Sequence, residues 1–293
     1  MPRPEPATVT TYRYVRISIV GVIVLLFAAL LIQIAADGWN LLPSISAYYY
    51  SPVRSVLVGS LVAAAFLLVA VRGRPGLEDA LLNLGGMLLP VVAFLPTPVE
   101  QGCASGARCV PDEFVPGVEV SMSALLLLGI PGLVFALWTL LTRSRPDRFA
   151  PSGFAVAVLI WAVVAVWFGP TADWGPRASL LEYGHYAAAV GVFAMIVAVA
   201  MVNARRTDRD ARIGGRTMPF SRIYAAVASA MAVVLVGAGL AWAAGWMSGG
   251  ALVFWIEAAL LALFSVFWLA QTAEFWTIGL PDEAVVQAQA PPV

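Results

Sequence analysis

The 293-residue chain is 61% hydrophobic and 12% charged, with 17 basic and 17 acidic residues. A soluble domain carries about 25% charged residues, so most of this surface is not expected to face water. Apolar runs of about 20 residues recur along the chain and predict an all-α, polytopic membrane bundle. No basic cluster interleaved with stacking aromatics lies outside these runs, which argues against nucleic-acid binding.

Eight apolar segments predict eight transmembrane helices in a single domain. The first is longer than the roughly 7–15-residue apolar core of a signal peptide, so it is predicted to be retained. The spans are predicted at residues 17–36, 53–71, 80–95, 118–141, 153–168, 183–202, 223–244 and 251–273. Residues 1–16 and 277–293 are polar and are predicted to be flexible tails.

The distribution of arginine predicts the orientation of the bundle. Most arginines lie in the first tail and in the loops after spans two, four and six, and Arg54, Arg108 and Arg177 lie on the other side. Cytoplasmic loops carry an excess of basic residues. Both chain termini are therefore expected to be cytoplasmic, and the loop between spans one and two is expected to be external.

That external loop carries the pattern Ser44-Ile45-Ser46-Ala47-Tyr48-Tyr49-Tyr50, followed by Arg54 and Val58-Gly59. The pattern resembles an S-I-S-x-Y-Y-x-x-x-x-R-x-x-x-V-G signature of uncharacterised, mainly actinobacterial, multi-pass membrane proteins. The resemblance covers spans one to three closely and the rest of the chain loosely, and the layout is more distantly similar to the DUF998-like and Frag1/DRAM/Sfk1 membrane families. It implies a bacterial plasma-membrane protein and does not imply a reaction.

Seven side chains are predicted to lie in the outer half of the bundle and form a candidate binding cluster: Ser44, Ser46, Tyr48, Arg54, Glu119, His185 and Glu257. Ionisable groups at membrane depth are costly and usually have a partner or a function. Arg54 is expected to pair with Glu257 or Glu119. The alternative interpretation is a structural ion pair that fastens the helices. A second polar group near the other face is interpreted as interfacial helix ends, and the alternative is that it completes a pathway: Glu78, Asp79, Asn83, Gln271 and Glu274.

Enzymatic readings are less well supported by the sequence. Catalytic zinc usually needs three protein ligands, commonly two or three histidines, and the chain has one histidine, so no metal and no cofactor are expected. A serine nucleophile would need Ser44 or Ser46 within hydrogen-bond reach of His185, and no G-x-S-x-G motif is present. The leading hypothesis is a non-enzymatic protein that binds membrane lipid or another amphiphile, or modulates an unknown protein partner. A transporter and an intramembrane hydrolase remain as alternatives.

The chain has two cysteines, Cys103 and Cys109, in the loop between spans three and four. Disulfides persist on the oxidising side of a membrane. The orientation above places this loop outside, so the two cysteines are expected to pair. Two free thiols are the alternative.

Overall fold

The structure is a computed structural model that describes residues 6–71, 73–100, 108–142, 148–169, 176–205, 210–213, 216–247 and 250–276. In these ranges the α-helices are α1 Pro6–Ala36, α2 Arg54–Ala70, α3 Leu77–Phe94, α4 Val115–Thr142, α5 Ala150–Phe168, α6 Pro176–Ala204, α7 Phe220–Ala243 and α8 Leu252–Glu274. A 3-10 helix, Ser46–Tyr50, lies between α1 and α2. An antiparallel hairpin of β1 Asp210–Ile213 and β2 Arg216–Pro219 joins α6 to α7, in a segment that the sequence predicts as a loop.

Seven of these helices are long and apolar enough to cross a membrane. The remaining one, α2, has 17 residues. At about 1.5 Å per residue it covers about 26 Å, close to the roughly 30 Å of a hydrocarbon core. The prediction of a helical membrane bundle is confirmed at this level, and each predicted span coincides with one helix apart from shifted ends.

The largest shift is at the start of α1, because residues 6–16 are helical and are not part of a flexible tail. Arg13 Nε donates to the Trp276 carbonyl at 2.9 Å, and its guanidinium lies over the Trp276 ring. Arg16 donates to the Gln271 carbonyl at 3.2 Å. These partners lie at the far end of the sequence, so no local pattern reveals them. They also place the start of α1 beside the end of α8, at what we call the termini end of the bundle.

Local signals explain the bounds of α3. Gly76, directly before the helix, has a φ of 119°, which glycine tolerates far better than other residues. Glu78 and Asp79 lie in the first turn, where acidic side chains favour the helix dipole. The helix ends at Phe94, two residues before Pro96, because proline has no N–H with which to continue the ladder.

Six helices form a closed ring in the order α1, α2, α3, α6, α7 and α8, with α8 packed against α1. Its interior is filled by large apolar side chains that are fully buried, among them Ile19, Leu26, Leu68, Phe267 and Trp268. Helices α4 and α5 pack together outside the ring, against α3 and α6. In their most apolar stretches 0% of α4 and 6% of α5 is buried by the chain, as expected of helices that face lipid.

A buried polar network closes the termini end. Arg74 lies 3.6 Å from Glu274, and the Tyr224 hydroxyl donates to the second oxygen of Glu274 at 2.5 Å. Gln271 donates to Glu78 at 3.0 Å. Both carboxylates are buried, at 2% exposure for Glu78 and 4% for Glu274. Glu78 and Glu274 lie at helix ends, as the sequence indicates, and the contacts of this network join α3, α7, α8 and the segment before α3.

Close packing of α2 on α3 depends on Gly86. A Cβ atom at this position would lie 2.7 Å from Val69 Cγ2 and 2.9 Å from the Ala65 carbonyl oxygen. Small residues allow such close approach between helices in lipid. A Cβ on the preceding residue, Gly85, would have nothing within 4 Å.

We therefore expect Gly86→Ala to lower the free energy of unfolding by about 1–3 kcal/mol, the usual cost of overpacking. Gly85→Ala is the matched control, and it is expected to be neutral or slightly stabilising because alanine favours a helix. Thermal unfolding of both variants in one detergent measures the difference. Equal melting temperatures would contradict the close contact.

Candidate functional site

The segment between α1 and α2 folds into the end of the ring opposite the termini end. Ser44 Oγ accepts the Ala47 N–H at 3.0 Å and caps the 3-10 helix. The fully buried Tyr48 accepts the Leu42 N–H at 3.3 Å on its hydroxyl. The Phe254 N–H at the start of α8 donates to the Pro43 carbonyl at 2.9 Å. These contacts fix the segment against α8 and so determine where Ser46 lies.

Glu257, in the second turn of α8, binds this segment directly. Its Oε2 accepts the backbone N–H of Ile45 at 2.5 Å and that of Ser46 at 3.2 Å. Its Oε1 lies 2.7 Å from Ser46 Oγ. One carboxyl group therefore satisfies two main-chain amides and meets the side chain of Ser46.

His185, near the start of α6, meets the same serine. Its Nε2 lies 2.8 Å from Ser46 Oγ, and its Nδ1 lies 2.6 Å from the Leu95 carbonyl oxygen and 3.1 Å from that of Val92. Carbonyl oxygens only accept, so Nδ1 carries a proton and donates. The imidazole is buried, at 3% exposure, and its ring orientation is set by α3.

The end of α3 before Pro96 explains why the Val92 carbonyl is free to bind His185. In a helix the carbonyl of residue 92 would accept the N–H of residue 96, and Pro96 has none. His185 supplies the missing donor. Sequence reasoning did not find these carbonyls, although Pro96 four residues after Val92 was the available signal.

The Ser46 hydroxyl bridges Glu257 and His185 but has one proton. Making both hydrogen bonds therefore needs a second proton, on Oε1 of Glu257 or on Nε2 of His185. In the first form a neutral carboxylic acid donates to Ser46 and Ser46 donates to neutral imidazole. In the second form imidazolium donates to Ser46 and Ser46 donates to carboxylate. A shift of two protons through Ser46 interconverts the forms at constant net charge, so the three residues form a short proton relay.

The relay lies at one end of a cavity of about 80 Å³ inside the ring. Ser46, His185 and Glu257 are its polar residues, and the rest of its lining is apolar. The apolar lining comes from α1, α2, α3, α6, α8 and Ile45, and it includes Leu26, Leu61, Ala64, Ala189, Phe193 and Phe264. The cavity is therefore polar at the end where the relay lies and apolar elsewhere.

An apolar layer separates the cavity from the termini end. Ile19 on α1, Leu68 on α2 and Phe267 and Trp268 on α8 are all fully buried. Each lies about one helical turn beyond a cavity residue, in the direction of the termini end. The cavity and the termini-end network are therefore not joined by polar groups along these three helices.

Arg54 lies apart from the relay. Its Nη2 donates to the Tyr49 hydroxyl at 2.8 Å, and its guanidinium lies 4.3 Å from the centre of the Tyr49 ring and 5.2 Å from that of Phe114. Among the described residues no carboxylate pairs with it, so the expected pairing with Glu257 or Glu119 is wrong.

The predicted cluster of seven residues is thus divided. Ser46, His185 and Glu257 converge on one cavity, and Ser44 and Tyr48 support the backbone beside it. Glu119 lines neither this cavity nor the pocket around Arg54. The neighbouring Tyr50 hydroxyl donates to the Thr97 carbonyl at 3.0 Å, and burial raises the pKa of this tyrosine, so it stays a neutral donor.

In the described ranges no group of three histidine, cysteine, aspartate or glutamate side chains is arranged to hold a metal ion. Cys109 is disulfide-bonded, and its backbone pairs with Val99 through hydrogen bonds of 2.9 and 3.0 Å. Cys103, its predicted partner, lies outside the described residues.

No protein-family model, curated protein or solved structure matches the chain. Function is therefore inferred from the geometry of the site.

Substitution of Glu257 tests the relay. In Glu257→Gln the amide oxygen still accepts the two backbone N–H groups, and its NH₂ donates to Ser46, which donates to His185. We expect this variant to unfold within about 0.5 kcal/mol of the wild type, whereas Glu257→Ala should lose about 1–3 kcal/mol because buried donors are left unpaired. Chemical or thermal unfolding in detergent compares the two, and an equal loss in both would exclude the neutral-acid form of the relay.

Proposed function

We propose that the cavity binds the polar end and first carbon atoms of an uncharged amphiphile, and that the protein acts in the membrane without catalysing a reaction. The observation that carries the proposal is the one-sided placement of Ser46, His185 and Glu257 in an otherwise apolar cavity. Ligand sites are commonly apolar pockets with a few placed polar groups.

The relay supports an uncharged polar group on the ligand. Its two forms have the same zero net charge, so a permanent charge on the ligand would be buried without compensation. In either form Ser46 Oγ donates one hydrogen bond and accepts one within the relay, so its second lone pair is left to accept from a ligand hydroxyl or amide N–H. The volume of about 80 Å³ is smaller than the roughly 150 Å³ cavity that holds a benzene molecule, so it suits a short alkyl segment, at about 0.8 kcal/mol per buried methylene.

The apolar layer favours binding over transport. A transporter pathway would be expected to continue as polar groups to the opposite end, and Ile19, Leu68, Phe267 and Trp268 interrupt it with fully buried apolar side chains. The arginine distribution supports placing the termini end in the cytoplasm of a bacterial cell and the relay in the outer leaflet of its plasma membrane.

A series of 1-alkanols from hexanol to dodecanol provides probes for this function. We expect them to raise the melting temperature of the purified protein, and we expect Ala189→Leu, which fills the cavity, to abolish the shift. Ala194→Leu makes the same change at an exposed position of α6 and is the control. Equal alkanol shifts in both variants would exclude the cavity as the binding site.

Acyl transfer at Ser46 is a second candidate, favoured by one observation. Ser46 Oγ lies 2.8 Å from His185 Nε2 while the Leu95 carbonyl holds the opposite ring nitrogen, which is the relation between a nucleophile and its base. However, the N–H groups of Ile45 and Ser46, the nearest donors for an oxyanion, are bound by Glu257. Binding without chemistry is therefore the better-supported function.

Labelling with an alkyl fluorophosphonate separates the two functions. With Glu257 occupying the oxyanion donors, we expect no adduct on Ser46 by intact-protein mass spectrometry. Ser46→Ala and His185→Gln are the controls for specific reaction. An adduct in the wild type that is absent from both variants would place acyl transfer ahead of binding.

A further inference from the structure

The guanidinium of Arg54 is held in place by its contacts with Tyr49 and Phe114. Arg54 is the first residue of α2, and the ring centres of Tyr49 and Phe114 lie 4.3 and 5.2 Å from its guanidinium carbon. A Cβ on Gly117 would lie 3.3 Å from Nη2, so the start of α4 also closes over it. The long side chain is therefore pre-ordered, and ligand binding would cost it little further conformational entropy.

This guanidinium has no counter-charge among the described residues. Its polar contact goes to the neutral Tyr49 hydroxyl, and its other contacts are aromatic rings. At the termini end, by contrast, Arg74 lies 3.6 Å from Glu274. Arginine stays charged in proteins, and a charge at membrane depth is costly without a partner. The missing counter-charge points to an anionic ligand.

Arg54 lines an open pocket of about 380 Å³ that is separate from the cavity. The hydroxyls of Tyr49 and Ser55 are the available donors beside it, whereas the Ser121 hydroxyl donates to the Gly117 carbonyl. Tyr49 accepts from Arg54 and keeps its own hydroxyl proton, Ser55 is exposed and has no hydrogen-bond partner among the described residues, and the other guanidinium N–H groups are free of protein acceptors in the same part of the chain. Val58 and Phe94 form an apolar wall.

We propose that this pocket binds a phosphate group through Arg54, with Tyr49 and Ser55 as further donors. A guanidinium fork fits two phosphate oxygens at once, and a third oxygen can accept from a hydroxyl. The group comes from an anionic phospholipid head or from free phosphate, and the apolar wall suits the former. The site is independent of the relay, because no residue of the pocket lines the cavity.

Two measurements on the full chain distinguish an anionic phospholipid head from free phosphate as the source of the bound group. In nanodiscs of phosphatidylcholine and phosphatidylglycerol, native mass spectrometry gives the enrichment of bound phosphatidylglycerol. In phosphatidylcholine alone, the melting temperature is followed against inorganic phosphate, with chloride at equal ionic strength as reference. We expect Arg54→Gln to reduce the enrichment of bound phosphatidylglycerol about tenfold, because a charge-assisted pair is lost. Arg54→Lys should recover part of this enrichment. Arg148→Gln removes an arginine that also lies over an aromatic ring, outside the pocket, and is the control.

Loss of phosphatidylglycerol enrichment in Arg54→Gln alone supports the lipid source. A phosphate-induced shift that Arg54→Gln alone abolishes supports the free anion. The proposal is overturned if Arg54→Gln and Arg148→Gln have the same phosphatidylglycerol enrichment and the same phosphate-induced shift in melting temperature. Should Arg54→Gln fail to fold, Ser55→Ala, a change at an exposed position, replaces it. We expect Ser55→Ala to weaken the phosphatidylglycerol enrichment or the phosphate-induced shift two- to threefold. An unchanged value of both would count against the site.

Discussion

The hydrogen bonds from the Ile45 and Ser46 amides to Glu257 determine the geometry of the whole relay end. These N–H groups face an apolar cavity, where an unpaired amide costs about 1–3 kcal/mol, and the carboxyl group of α8 removes that cost. Once Oε2 has fixed the backbone of the segment, Oε1 necessarily meets the Ser46 hydroxyl at 2.7 Å. Ser46 is then within reach of His185, whose ring is oriented by α3.

The two ends of the bundle stabilise their buried polar side chains in different ways. At the termini end, Arg74 and Glu274 carry opposite charges that neutralise one another. At the relay end, the two hydrogen bonds of Ser46 fit Glu257 and His185 either as a neutral pair or as an ion pair. Fixed opposite charges suit an end of the bundle that stays closed.

The helices and their approximate ends follow from the apolar runs, because a bilayer imposes a length of about 20 residues on each span. Ser46, His185 and Glu257, three of the seven residues of the predicted cluster, line the cavity. Their pairing was not predictable: Ser46 and Glu257 are 211 residues apart, and span length contains no information on which helices are neighbours. Arg54 was paired with a carboxylate on charge alone, and its actual partners are the rings of Tyr49 and Phe114.

The division of the fold into a six-helix ring and an outer helix pair also divides the two sites. No residue of α4 or α5 lines the cavity, so the ring alone builds the relay end. The Arg54 pocket needs the outer pair, since Phe114 and Gly117 hold the guanidinium and Ser121 lines the pocket. The few contacts that bury α4 within the chain are concentrated at this corner, where Val118 and Met122 are fully buried. The corner at which the outer pair is anchored is therefore also the place where the Arg54 guanidinium is held.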